Sequence, residues 1–297
     1  MALDARAAWS WLWYRPGSAR NLAAARIILA ASALWVVLSR FDLPSVLAFP
    51  PEVWSGVSFE RRIRFLMLFG LDAERVLYAL LHLTLLGALL GVFPRVTCLL
   101  SGLLLYHFAP FETIVRTPNP YLRGLTLPTL GLLVLSFARC GDSWAMFPRS
   151  PRPSPNPSWE YRWPLVLVQV FFCQMYVLAA YAKLFTSGLA WATPQNIRGH
   201  LLILNQILHP TPMSSPGYLL AQSPLACGAI AWFGLGFEIA FPLVLFSPLA
   251  RRVLLPLAVA FHVANSVAFR IFFQNSALLL LFVDWDALLR SRREAEP

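Results

Sequence analysis

One amine stands alone in this sequence. Lys183 is its only lysine, and every other basic side chain among the 24 Lys+Arg is an arginine. Arginine keeps its proton in proteins, whereas a partly desolvated lysine can release it and act as a base. Lys183 closes the apolar run Gln169-Val-Phe-Phe-Cys-Gln-Met-Tyr176-Val-Leu-Ala-Ala-Tyr-Ala-Lys183-Leu-Phe, which has the character of a transmembrane helix. A base there suits removal of a proton from a lipid-soluble acid, because proton transfer works best when the base is tuned near the working pH. The rival reading is an interfacial anchor, with the lysine stem in apolar surface and its head in water.

Gln169, Cys173, Tyr176, Ala180, Lys183 and Ser187 recur in steps of four and three and share one helix face. Such a stripe faces the interior of a bundle, where Gln169 and Tyr176 either bind a cofactor or hydrogen-bond neighbouring helices. His262 and Asn265 share a face further along, and they are candidates for catalysis and cofactor binding respectively, with simple packing as the alternative. Glu238, in Gly-Phe-Glu238-Ile-Ala-Phe-Pro242, is an intramembrane carboxylate. Inserting an ionisable group costs on the order of 2.5–3.5 kcal/mol, so it needs a cation. Arg26 and Arg123, both embedded, are the candidates, and a structural ion pair is expected. His107 and Glu112 are placed to line the same vestibule, while His82 reads as packing. No P-loop, GxGxxG, triad order or paired-histidine spacing is present, and the four cysteines lack CxxC spacing. Neither a metal site nor a disulfide framework is expected.

The elements that must position these residues follow from composition. The 297 residues are 58% hydrophobic and 13% charged, with a mean hydropathy of +0.61. That balance predicts an all-α polytopic transmembrane helix bundle rather than a water-soluble globule. Spans are expected near 21–40, 73–93, 95–111, 120–138, 163–185, 224–247, 252–273 and 275–289, about eight within a range of roughly seven to nine. The third is broken near Pro110 on this reading, and the last is short. With the N-terminus inside, inner segments hold thirteen arginines and outer ones eight. The positive-inside rule then puts both termini in the cytoplasm and Lys183 at the outer end of its span.

The first twenty residues, with Trp9, Trp11, Trp13 and Tyr14 among arginines, read as an interfacial segment before an uncleaved first span. Residues 41–72 suggest an amphipathic helix on the outer surface, and 191–220 a cap or re-entrant segment. Ser150-Pro-Arg-Pro-Ser-Pro-Asn-Pro157 is a linker. The net charge of +10 is spread over loops, so the bilayer is the expected partner and nucleic acid is not. One transmembrane domain spanning 1–297 is expected, with no soluble C-terminal domain.

Taken in order, several motifs resemble one family. They are Asn21-Leu-Ala-Ala-Ala-Arg26-Ile, Gly141-Asp-Ser-Trp-Ala-Met, Tyr176-Val-Leu-Ala-Ala-Tyr-Ala-Lys183-Leu followed by Trp191, Glu238-Ile-Ala-Phe-Pro242, Arg251-Arg252, His262 and Leu281-Phe-Val-Asp284-Trp285. The chain is similar over roughly 15–290 to the HTTM family, the transmembrane domain shared with vitamin K-dependent gamma-glutamyl carboxylase. The resemblance implies a membrane enzyme of lyase or ligase type acting on a reduced, vitamin K-like quinone. Lys183 occupies the place of the lysine that deprotonates it.

Where the carboxylases have a histidine before a Ser-Tyr-Leu-like run, this chain reads Thr117-Pro-Asn119-Pro-Tyr121-Leu122. Asn119 thus takes a catalytic hydrogen-bonding place and Tyr121 a cofactor-binding one, but Asn119 bears no charge at neutral pH. The carboxylases continue into a large lumenal substrate-binding domain, and this chain stops at Pro297. A separate substrate-binding or soluble enzyme subunit is therefore the implied partner, and a bacterial inner membrane the implied location. The alternative is a non-catalytic membrane subunit or small-molecule permease of the same fold.

Overall fold

A computed structural model describes residues 5–40, 70–116, 124–147, 157–208 and 210–295. Among the described residues there is no strand, and a single isolated antiparallel bridge joins Gly17 to Ser158. In chain order the helices are α1 (Ala5–Tyr14), α2 (Ala19–Arg40), α3 (Gly70–Leu90), α4 (Pro94–Arg116), α5 (Thr126–Ser136) and α6 (Trp159–Ser187). After a 3₁₀ turn at Gly188–Ala192 come α7 (Pro194–Leu202), a π-helical stretch at Ile203–Leu208, α8 (Pro216–Ala221) and α9 (Pro224–Ala240). A second 3₁₀ segment, Phe241–Leu245, precedes α10 (Pro248–Ala268), and a third, Gln274–Phe282, precedes α11 (Trp285–Ala295). The chain divides into two compact units, residues 1–168 with 280–297, and residues 169–279.

In the first unit, α2 buries Ala23, Ala25, Leu29, Ala30, Ala33 and Val37. Small side chains at that spacing let apolar helices approach closely where no hydrophobic effect drives them together. Gly91, with a φ of 75°, turns the chain out of α3, and Pro94 opens α4. The C-terminal helix is tied to α2 by polar contacts: Arg20 ion-pairs with Asp286 at 3.0 Å, and the Asn21 amide donates to Asp284 at 2.9 Å.

In the second unit, hydroxyl–proline pairs start the helices. Ser215, Ser223 and Ser247 each accept a hydrogen bond from a first-turn amide, and a proline follows each at the first helical position. Thr193 before Pro194 does the same for α7. Proline loses nothing at that position, because its missing N–H would have had no intrahelical partner. Ile197 and Leu201 of α7 then bury against Cys227, Ala231 and Leu235 of α9.

Among the described residues, four helices are long and apolar enough to cross a bilayer: Ala19–Ser39, Asp72–Leu90, Trp159–Ala192 and Pro224–Leu245. They coincide with the first, second, fifth and sixth expected spans. Elsewhere the structure departs from expectation. Helix α4 runs through Pro110 to Arg116 without a break. The fourth span contains only the 11 residues of α5 among the described ones, with 120–123 outside them.

The expected eighth span is divided. A 3₁₀ segment ends at Phe282 and α11 begins at Trp285. The reason is local: the Asp284 carboxylate accepts from the Ala287 amide at 3.1 Å, the geometry of a cap that starts a new helix. The surface helix expected over 41–72 falls on residues 41–69, which lie outside the described residues, as does most of the proline-rich linker.

Candidate functional site

The stripe on α6 is real as a buried face. Gln169, Cys173, Tyr176 and Ala180 are all buried, Lys183 is half-buried, and Ser187 at the end is exposed. A 3.6-residue period along an apolar helix concentrates its polar groups on one side, and that side packs inward.

Lys183 does not stand free. Its ammonium ion-pairs with the carboxylate of Glu238 on α9. It also lies 4.4 Å from the centroid of the Trp191 ring. Trp191 comes back over the end of α6 because Gly188, with a φ of 57°, reverses the chain into the 3₁₀ turn. The electron-rich ring face attracts a cation most when water is partly excluded. The Lys183 side chain keeps 23% of its exposure and that of Glu238 only 6%. Desolvation therefore falls chiefly on the acid, which depends on the amine for its charge. Glu238 thus takes its cation from Lys183, not from Arg26 or Arg123, the arginines expected to supply it. Arg26 belongs to the other unit, where its guanidinium donates to the carbonyl of Trp144. Arg123 lies outside the described residues, as do Asn119 and Tyr121.

Two turns before Lys183, the Tyr176 hydroxyl meets His262 Nε2 of α10 at 2.7 Å. Tyr176 is stacked on Phe241 with centroids 4.1 Å apart, and Phe237 meets it edge-on at 5.6 Å. Phe261 packs on Phe237 at 4.9 Å, and Phe273 lies 5.2 Å from the His262 ring. Two polar atoms in this aromatic setting are buried without a partner: Oε2 of Glu238 and Nδ1 of His262. Leaving such an atom unpaired costs about 1–3 kcal/mol, so each is a point where a ligand's complementary group gains. Asn265 is otherwise engaged, its amide donating to the Phe261 carbonyl at 2.8 Å one turn back. Tyr176→Phe leaves His262 with neither ring nitrogen paired, and is expected to lower stability by about 1–3 kcal/mol. Thermal unfolding of the detergent-purified protein reads this against Tyr181→Phe, a site 59% exposed; equal shifts would show that the Tyr176–His262 bond contributes nothing.

The first unit holds a pair that the sequence did not single out. His107 Nε2 lies 2.8 Å from the buried Glu74 carboxylate. His107 is expected to line a vestibule with Glu112, whose side chain is not among those described. The available signal was Glu74 itself, an acid in the second turn of an apolar helix that has to meet a donor. His82 bonds to the Tyr78 carbonyl of its own helix at 2.8 Å.

The comparisons agree with the order of motifs. No curated protein and no solved structure matches the chain. Residues 14–286, nearly its whole length, match the HTTM domain, and the chain belongs to the HTTM domain family.

Proposed function

We propose that the chain is a carboxylase-like membrane enzyme in which Lys183 is the base toward a reduced, vitamin K-like quinone. On this reading it crosses a bacterial inner membrane about eight times, with both termini cytoplasmic and the Lys183 site opening outward. The observation that supports it best is the Lys183–Glu238 pair, set beside the unpartnered Glu238 Oε2 and the Tyr176–His262 couple.

These residues fit a hydroquinone-like group: a carboxylate oxygen able to accept from a hydroxyl, a ring nitrogen awaiting a partner, and flat aromatic faces. When bound, such a group supplies the acidic hydroxyl and the reducing electrons on which carboxylase chemistry draws. The chain's part is proton accounting. The Lys183–Glu238 pair is neutral overall whether its shared proton rides on nitrogen or on oxygen. Lys183 acts as the base from the form in which the shared proton rides on Glu238, and ends as an ammonium beside a neutral carboxyl. With the Glu238 carboxyl neutral, the ammonium would be free to stabilise negative charge on a bound group, with the Trp191 face still beside it. Tyr176 holds the His262 ring, so that Nδ1 presents a donor or an acceptor according to the tautomer.

Lys183→Arg keeps the positive charge but cannot release a proton. The variant is expected to purify with wild-type melting behaviour and to lose quinol-dependent oxygen uptake by about 10²-fold or more. Mass spectrometry of extracted lipids is expected to find a quinone with the wild type and less with Lys183→Ala. Undiminished uptake in Lys183→Arg removes the lysine from the chemistry. A wild type that neither binds quinone nor consumes oxygen with it removes the reaction.

A second reading, a non-catalytic membrane subunit or small-molecule permease, is favoured by one observation. Lys183 is already neutralised by Glu238 and set against Trp191, as a structural anchor would be. That reading expects Lys183→Arg to be tolerated in every assay. On either reading a separate subunit is the proposed protein partner.

A further inference from the structure

Two turns of the first unit meet where α4 begins. One, residues 91–93, joins α3 to α4, and the other follows α5 through residues 137–147. The Met146 amide donates to the Leu90 carbonyl at 3.1 Å. Gly141 sits so close to Pro94 that an added Cβ would lie 2.8 Å from the proline ring. Between the turns is a cleft of about 40 Å³ lined by Pro94, Arg95, Arg139, Gly141 and Asp142. A water needs roughly 10–15 Å³ on the same measure, so the space admits the oxygens of one polyatomic anion.

The charges around the cleft do not cancel. Arg139 donates from Nε to Asp142 and from Nη1 to Glu160, each at 2.8 Å, and the Tyr161 hydroxyl donates to Asp142 at 2.9 Å. Asp142, the carboxylate in the lining, is thereby already committed, and Glu160 does not line the cleft. Arg95 spends its Nε on the Ala138 carbonyl at 3.0 Å. Among the described residues, its two terminal nitrogens make no hydrogen bond and no carboxylate lies within ion-pair distance of it; the residue is exposed. The lining thus holds two guanidiniums, Arg95 and Arg139, against the one carboxylate of Asp142. A zwitterionic headgroup brings a cation for which this lining has no free acid. A phosphodiester carrying only hydroxyls beyond its phosphate brings none.

The rim of the cleft is apolar. Phe93 and Phe147 are exposed and stacked with centroids 6.3 Å apart, and Met146 is exposed as well. Phe93 holds a φ of 43°, uncommon for a bulky residue, and its carbonyl is fixed by the Val96 and Thr97 amides at 2.9 and 3.1 Å. From the cleft an exposed apolar stripe runs along α4 through Val96, Leu99, Leu100 and Leu103, the i, i+3, i+4, i+7 spacing of one helix face. A free phosphate has no use for that stripe. A lipid uses both parts, with its headgroup in the cleft and an acyl chain along the helix.

We infer that the cleft binds the phosphate of an anionic phospholipid, held by Arg95 with Arg139 beside it, and that the lipid's acyl chains lie on the α4 stripe. Basic pockets between membrane helices take lipid headgroups in this way. The bound lipid bridges the start of α4 to the turn after α5, so it stabilises the folded protein by mass action. The site belongs to the first unit and holds whatever chemistry Lys183 performs in the second.

The test uses the full-length protein in detergent, offered dioleoylphosphatidylglycerol or dioleoylphosphatidylcholine, which share their acyl chains. Native mass spectrometry is expected to find the phosphatidylglycerol retained about fivefold or more over the phosphatidylcholine. Arg95→Gln is expected to lower phosphatidylglycerol retention about fivefold, the equivalent of the ~1 kcal/mol that one basic side chain contributes near a membrane surface. Arg95→Lys is expected to keep most of the retention, and Arg252→Gln, at an exposed arginine of the other unit, all of it. Millimolar inorganic phosphate is expected to leave the lipid in place. Equal retention of the two lipids by the wild type overturns the inference. So does an equal loss in Arg252→Gln, which reduces the effect to net charge, and so does displacement by phosphate, which makes the occupant a free anion. The lipid comparison and the phosphate competition use the wild type, so they decide the matter even if Arg95→Gln fails to fold.

Discussion

Lys183→Met is expected to destabilise the protein by about 3–5 kcal/mol, because it strands the Glu238 carboxylate in an apolar setting with no cation. Glu238 cannot turn to water, since its side chain is only 6% exposed. Nor does a neighbouring donor take over, because its second oxygen is already without a partner. The converse variant, Glu238→Leu, is expected to cost less. The freed ammonium keeps the Trp191 face and 23% exposure through which water can reach it.

Combining the two substitutions removes both charges, and a well-packed apolar pair is often as stable as the ion pair it replaces. The double variant should therefore recover most of the loss seen in Lys183→Met. Denaturant or thermal unfolding in detergent completes the cycle and isolates the coupling between the sites. Additive effects would mean that the two groups do not stabilise each other. Stability also separates the pair's structural role from its chemical one. Lys183→Arg retains the charge and is expected to melt near wild type even if activity disappears.

The second large effect is at Gly91, where alanine is expected to cost about 3 kcal/mol or more. Two terms add. A residue with a Cβ pays roughly 1–2 kcal/mol to hold the left-handed backbone that a φ of 75° requires. The added Cβ would also lie 2.6 Å from the Ala145 Cα and overlap the Arg26 guanidinium. Backbone cannot yield as a flexible side chain does, so the α3–α4 turn and the segment through Ala145 would have to part. Gly236→Ala, inside α9, is the control: nothing lies within 4 Å of its new Cβ. There the helix gains about 0.5–1 kcal/mol from the lower freedom of alanine. Similar melting shifts at the two sites would refute the account of the turn.

The apolar helices were legible in the residues alone. Whether α2, α3, α6 and α9 can cross a bilayer depends on the apolar length of each, a property of one stretch of chain. The inward face of α6 was legible for the same reason, since Gln169, Cys173, Tyr176 and Ala180 share a side by helical period. That Glu238 must find a cation was also plain, because a carboxylate at membrane depth is too costly to leave alone.

Which cation it finds could not be read. Lys183, Arg26 and Arg123 satisfy the charge rule equally well, and the choice depends on which helices become neighbours. In the folded protein α6 and the turn at Gly188 bring Lys183 and Trp191 to Glu238, while the Arg26 guanidinium, in the other unit, donates to the Trp144 carbonyl. The division of the last expected span had the same origin. Hydropathy rises through Leu278–Phe282, but Asp284 and Asp286 are held by the α11 amide of Ala287 and by Asn21 and Arg20 of α2. Span and face are set by short-range periodicity. Partner identity is set by contacts between residues tens to hundreds of positions apart, which no local pattern encodes.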